Sequence, residues 1–127
     1  MGPASPILLA ADDPDFALLI QLGFQEAGIL NPVRVVKDGC EALKYLSGEE
    51  QYRNRRIFPL PSLILLDTRL RLVTGFEVLQ WKRQQPGLGE ISVLMFLSLG
   101  TETETRLARE IAEFRISSSS RVVAAER

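Results

Sequence analysis

The sequence predicts an α/β domain, a parallel sheet with helices on both faces, and three observations predict it. Short apolar runs alternate with stretches of helical periodicity along the whole 127-residue chain. Two of those runs, Ile7 to Ala11 and Leu63 to Leu66, lack polar alternation, the pattern of strands buried on both faces. Both run straight into acids, Asp12-Asp13 and Asp67. In open sheets of this kind, ligands gather at the ends where such strands emerge.

Ile7 to Ala11 reads as the first strand. Asp13-Pro14 follows, an N-cap residue with proline at the first helical position. Phe16, Leu19, Ile20, Gly23, Phe24 and Ala27 recur at helical spacing, and Gly28 marks the stop. Val33 to Val36 is a second short strand. Asp38 starts a helix with Cys40, Leu43 and Leu46 on one face, ended by Ser47-Gly48. Gln51 to Pro61 reads as a polar loop, with Arg53, Arg55 and Arg56 solvated rather than forming a docking patch.

Ser62 to Asp67 is the third strand, followed by a loop to Gly75. Phe76, Val78 and Leu79 begin a third helix that includes Trp81 as a packing residue and stops before Pro86-Gly87. Ile91 to Leu97 is a fourth buried strand. Thr101 to Phe114 reads as a helix with Leu107, Ala108, Ile111 and Ala112 inward. Glu102 and Glu104 in its first turn carry the charge that suits a helix N-terminus. The serine-rich tail from Ile116 to Arg127 supplies one edge strand and barely two turns of helix.

Length and composition bound the function. The chain is expected to be one domain, residues 1–127, long enough for a core. Apolar residues make up 46% and charged residues 24%, ordinary for a globular protein. A formal charge of −1 gives no global field favouring nucleic acid or an anionic membrane. No apolar run approaches the ~18 residues of a spanning helix, and no signal-peptide pattern opens the chain. Cys40, alone, forms no internal disulfide and suits a reducing cytoplasm. The chain holds no histidine, which removes His-based catalysis and His metal ligands.

Right-handed crossovers place the ends of strands one, three and four side by side, so Asp12 and Asp67 are expected to meet. Two close carboxylates repel unless a cation sits between them, and Mg²⁺ suits oxygen ligands. A carboxylate beside such an ion can act as a nucleophile towards a phosphoryl group. That chemistry asks mainly for positioning and charge neutralisation.

Three stretches carry a family resemblance: Ile7 to Phe16 with its Asp12-Asp13-Pro14, then Val36-Lys37-Asp38-Gly39-Cys40-Glu41-Ala42-Leu43, then Leu63 to Asp67 followed by Gly75-Phe76-Glu77-Val78-Leu79. In this order and spacing the chain resembles the response-regulator receiver family along nearly its whole length. The long loop before Ser62 is similar to that of small stand-alone receivers associated with bacterial phytochrome kinases. The resemblance implies a flavodoxin-like, doubly wound, five-stranded sheet in the order 2-1-3-4-5, here with the fifth strand and last helix short. It also implies Mg²⁺ binding and phosphorylation by a histidine kinase. Asp67 stands at the phospho-acceptor position and Asp12 at that of a direct Mg²⁺ ligand. Arg69 stands where a backbone carbonyl is the third protein ligand, with its side chain over the site.

Other positions depart from the family pattern. Ala11 replaces one acid of the usual first-strand pair. Asp13 is acidic but falls where the first helix begins, which favours capping over metal binding. Arg71 replaces a loop proline. Leu97 occupies the place of the hydroxyl residue ending the fourth strand, with Ser98 one position later and hence on the opposite face, able to substitute only if the strand bulges or the loop starts early. The lysine expected after the fifth strand is missing: Lys37, Lys44 and Lys82 are the chain's lysines, and the matching stretch is Ser117-Ser118-Ser119-Ser120, preceded by Ile116. Loss of such a charge-assisted contact removes about 1.5–3 kcal/mol.

The reading is therefore a non-enzymatic receiver in phosphorelay signalling, with Asp67 as candidate acceptor and Ser98 as a candidate phosphoryl contact. Its partners would be a histidine kinase and a downstream protein, with a homodimer left open. The alternative is a degenerate receiver acting as a phosphorylation-independent docking domain. A Mg²⁺-dependent phosphohydrolase ranks below both, because Arg69 stands where its acid/base carboxylate belongs. A flavin carrier is disfavoured by the acidic turn at Asp12-Asp13-Pro14, where backbone donors would be needed.

Overall fold

The computed structural model describes residues 5–67, 70–96 and 124–125. Five parallel strands form one sheet in the order β2-β1-β3-β4-β5. They are β1 (Ile7–Ala10), β2 (Val33–Val36), β3 (Leu63–Asp67), β4 (Ser92–Phe96) and β5 (Ala124–Ala125). The helices are α1 (Pro14–Glu26), α2 (Gly39–Ser47) and α3 (Gly75–Arg83). The expected fold class and strand order are thus present, with the fifth strand reduced to two residues. The helix expected at 101–114 lies outside the described residues.

The sheet is covered on both faces because successive side chains alternate across it. Ile7, Leu9, Leu63, Leu65, Leu94 and Phe96 face α1, which contributes Phe16, Ala17, Ile20 and Phe24. Leu8, Ala10, Ile64, Leu66, Val93 and Met95 face α2 and α3, which contribute Ala42, Tyr45, Leu46, Val78 and Leu79. The Phe16 and Phe96 rings stack with centroids 5.3 Å apart, joining α1 to β4. Each fully buried aliphatic or aromatic side chain contributes about 1.5–3 kcal/mol of transfer free energy.

Helix starts follow the capping residues in the sequence. The Asp13 carboxylate accepts from Asp15 N at 3.0 Å and the Asp38 carboxylate from Glu41 N at 2.8 Å. Thr74 and Glu77 form a reciprocal capping box at the start of α3. Inner faces differ in detail from the periodic reading. Leu19 is 41% exposed, because the buried stripe of α1 advances by fours through Phe16, Ile20 and Phe24. Cys40 is only half-buried, since Ala42, Tyr45 and Leu46 turn the opposite flank of α2 to the core. Trp81 packs against the core, in agreement with its reading as a packing residue.

In the 49–61 segment Arg53 and Arg56 are exposed, as read, but Arg55 is not solvated. Arg55 donates to the carbonyls of Tyr45 at 2.8 Å, Leu46 at 2.9 Å and Phe58 at 3.2 Å. Two of these carbonyls belong to the last turn of α2, whose acceptors have no partner within the helix. Tyr45, Tyr52 and Phe58 cluster at centroid distances of 4.9, 5.1 and 6.1 Å. Tyr45 Oη donates to Pro59 O, and Arg34 lies over the Phe58 ring while donating to Ile57 O. The segment is a packed flap over α2 and the edge strand β2. Its anchors are long-range and leave no periodic trace.

The fifth strand also moves. Its pairs are Met95 with Ala124 and Phe96 with Ala125, so it falls at the apolar end of the tail. The serine run at 117–120, which the sequence aligned with the strand end, lies outside the described residues. The stretch after β5 is instead Glu126-Arg127, outside the described residues.

Two outcomes test this packing. Replacing Arg55 by Ala should lower stability by about 2–3 kcal/mol in urea unfolding, because buried carbonyls lose charged donors. Burial, reinforced by its bond to Glu41, pushes the Tyr52 hydroxyl well above its ordinary 10.0. Its folded form therefore keeps the proton where the unfolded chain has lost it. The stabilisation is complete below pH 10 and declines as pH rises beyond that value. The Tyr52→Phe variant should show a shallower fall of the urea midpoint across this alkaline range.

Candidate functional site

The C-terminal ends of β1 and β3 are brought together by their ladder. Ala10 pairs with Leu66, which makes Ala11 the neighbour of Asp67. Ala11 N continues the sheet by donating to Val36 O at 3.0 Å. Asp67 is 3% exposed at the end of the central strand. Asp12 follows Ala11 at the surface, and Asp13 is turned away as the α1 cap. The two acids read from the sequence thus stand at adjacent strand ends, one buried and one open to solvent.

Asp67 is enclosed from the side of α3. A Cβ added at Gly75 would lie 2.7 Å from the Asp67 carbonyl oxygen and 3.1 Å from Met95 Cε. The first turn of α3 therefore rests directly on the backbone of Asp67. Beyond it the 70–74 loop is tightly wound. Val73 N donates to Arg71 O at 2.8 Å around Leu72, whose φ is +67°. An i to i+2 bond with positive φ is a γ-turn, a strained arrangement for a branched residue.

The same loop closes on α2. Arg71 O also accepts from Gly39 N at 3.3 Å, and a Cβ at Gly39 would meet Val73 O at 1.8 Å. Glycine at 39 is thus a requirement of the loop contact. The Asp38-Gly39 pair carried that signal, cap followed by close approach, but the sequence did not name the partner. Glu41 joins the neighbourhood, accepting from Lys37 N at 2.9 Å and from Tyr52 Oη at 2.7 Å.

Between these walls lies a cavity of about 320 Å³ lined by Asp12, Lys37, Asp38, Arg71 and Leu72. Lys37 and Arg71 were not singled out as site residues by periodicity, since neither faces a core. Arg69, Leu97 and Ser98 lie outside the described residues. Among the described residues no three of His, Cys, Asp and Glu are grouped to hold a metal ion. The carboxylate donors at the strand ends are Asp12 and Asp67, with nothing added by Ala11. Two carboxylates with a backbone carbonyl are a hard-oxygen set of the kind Mg²⁺ or Mn²⁺ accepts, completed by water. Also among the described residues, no helix is long and apolar enough to cross a membrane.

No family model matches the chain. Individual proteins do. The response regulator Rcp1 of Synechocystis sp. is 30% identical over 110 residues, covering 87% of this chain and 73% of the relative. The structure of the Mn²⁺-bound form of Rcp1 superposes with a TM-score of 0.71 at 25% identity, covering 97% of this chain and 81% of Rcp1. The phosphorylated cyanobacterial phytochrome response regulator RcpA gives a TM-score of 0.78 at 27% identity, covering 92% of this chain and 97% of RcpA. The bacteriophytochrome response regulator AtBRR gives 0.71 at 30% identity, covering 99% and 85%.

The close approach of α3 predicts the effect of one methyl group. In Gly75→Ala the new Cβ must displace the Asp67 backbone or the helix start, at a cost of about 1–3 kcal/mol. A lowered urea midpoint, with the amide resonances of residues 66, 67 and 70 shifted, is the expected result. An unchanged midpoint would mean that α3 does not rest on Asp67 as described.

Proposed function

Because this chain belongs to the response-regulator receiver family, of the type associated with phytochromes, we propose that Asp67 is its phospho-acceptor, receiving a phosphoryl group from a histidine kinase. The observation that carries the reading is the burial of Asp67 at the end of the central strand, across the ladder from Ala11, the residue that precedes Asp12. Parallel sheets gather their chemistry at that edge.

In this reading Asp12, Asp67 and the backbone carbonyl of Arg69 hold a divalent ion, Mg²⁺ in the cell, as the Mn²⁺-bound relative holds Mn²⁺. When bound, the ion supplies charge neutralisation between the acceptor and the incoming phosphoryl oxygens. The protein's own part is positional. The Asp67 carboxylate is held by β3 and by the contact of Gly75 with its backbone, ready to attack phosphorus in line. Ser98 supplies a hydroxyl to the phosphoryl group only with a bulge at the end of the fourth strand or an early start of the loop after it, and Asp13 stays with its helix.

The chain acts as one non-enzymatic signalling unit over residues 1–127, in the cytoplasm, passing its state to a downstream protein by contact, as a monomer or a homodimer. A second reading is favoured by a specific observation: Ala11 removes one acid, and no lysine follows Lys82 in the sequence. Without those groups the receiver fold serves as a docking domain independent of phosphorylation. Arg69, where a phosphohydrolase needs an acid, argues against turnover chemistry.

Incubation with Mg²⁺ and acetyl phosphate, followed by intact mass measurement, separates the readings. A Mg²⁺-dependent gain of one phosphoryl group, absent from Asp67→Asn, is the expected result. No gain under conditions that label an ordinary receiver would leave the docking domain as the function.

A further inference from the structure

We infer that the free edge of β2, with the aromatic cavity beside it, docks an extended segment of a partner protein whose residues alternate apolar, acidic, apolar. β1 separates this edge from β3 and Asp67, so docking here does not depend on the acceptor reading.

An open row of backbone groups is the first observation. β2 ends the sheet, with β1 on one side only. Pro32 O and Val36 O accept from Ile7 N and Ala11 N, so alternate peptide groups of this segment turn to β1. The N–H and C=O of Val33 and Val35 therefore point away from the sheet, as on any edge strand. Among the described residues these groups make no hydrogen bond, and Val35 is 43% exposed. Two donors and two acceptors at strand spacing are what an added strand recognises.

A cavity of about 240 Å³ runs along all four residues of β2 and is walled by Tyr45, Tyr52 and Phe58. The two faces of the edge differ. Val33 packs with the core under α1, while Val36 belongs to the core under α2 and α3. By alternation Val35 shares the face of Val33, and Arg34 stands on the cavity side, over the Phe58 ring.

Charge selects the occupant. Among the described residues no acid lines this cavity. Arg34 and Arg55 donate to carbonyls and lie over aromatic rings, and among the described residues no carboxylate pairs with either. Arg53 and Arg56 are exposed on the same flap. The carboxylate in contact with the cluster is Glu41, and both its oxygens accept bonds, from Tyr52 Oη and Lys37 N.

These features set the pattern of the docked segment. Side chains of an added strand alternate between the faces in step with β2. On one face aliphatic side chains pack beside Val33 and Val35, and on the other a carboxylate meets Arg34. A second copy pairing through the same edge would bring the arginines of two flaps together, and like charges across a ladder destabilise it. The edge is thus fitted to an acidic partner strand rather than to itself.

The test titrates a blocked peptide with valine-glutamate-valine at its centre into the full chain, read by amide resonances. Saturable shifts at Val33, Arg34 and Val35, with slowed amide exchange at Val33 and Val35, are the expected result. Lysine in place of the glutamate should weaken binding. Arg34→Gln should cut the preference for glutamate about twofold to fivefold, the worth of one cross-strand charge pair.

Two further peptides, N-methylated at alternate residues, separate strand addition from simple filling of the cavity. An added strand turns every second N–H to β2, so one should bind like the parent and the other should fail. That pair is read on wild-type protein, so a poorly folded Arg34→Gln leaves nothing open. No shifts at β2, equal binding of the two N-methylated peptides, or equal binding of the lysine peptide overturns the inference. Shifts of the same amides on concentrating the protein alone, with a rise in sedimenting mass, assign the edge to a second copy and overturn it too.

Discussion

The ladder between β1 and β3 is the constraint on which the rest of the structure depends. Ile7 to Ala10 pairs with Leu63 to Leu66, and every one of these side chains is almost wholly buried, half on each face. A slip by one residue would turn each side chain to the other layer, against helices shaped for a different set. The register is therefore fixed by two cores at once. It is this register that makes Ala11 the neighbour of Asp67 and carries Asp12 to the rim. The acids are placed by hydrophobic packing, not by any attraction between them.

Much of the fold was legible because its signals are local. Uninterrupted apolar runs marked the buried strands, and Asp13 and Asp38 marked helix starts by the hydrogen bonds their short side chains make. The order of three motifs pointed to the receiver family, and the similarity to Rcp1 agrees. The failures share one cause, contacts between residues distant in sequence. Nothing near Arg55 shows that it will cap α2, because the acceptors lie nine and ten residues back. The fifth strand followed the apolar end of the tail rather than its alignment with a family position. At the site, Asp12 and Asp67 were readable as strand ends. Lys37 and Arg71 became visible only once Gly39 and Val73 were in contact.

The polar groups of the flap illustrate how a short insertion can be held without a large core of its own. Three aromatic rings supply area, and each half-buried carbonyl at the α2 terminus finds a donor. Tyr52 then reaches back to Glu41, whose other oxygen holds the backbone of Lys37. A continuous chain of hydrogen bonds runs from the flap to the edge of the cavity. Coupled polar groups of this kind are worth more together than apart, since loss of one leaves the next unsatisfied.

The absence of a side chain at residue 39 has a mechanical meaning. With Gly39 and Val73 in backbone contact, the start of α2 and the loop after β3 have no slack between them. Lys37 sits just before one and Arg71 within the other. The two walls of the cavity therefore meet through main chain, and a side chain at residue 39 would have to part them.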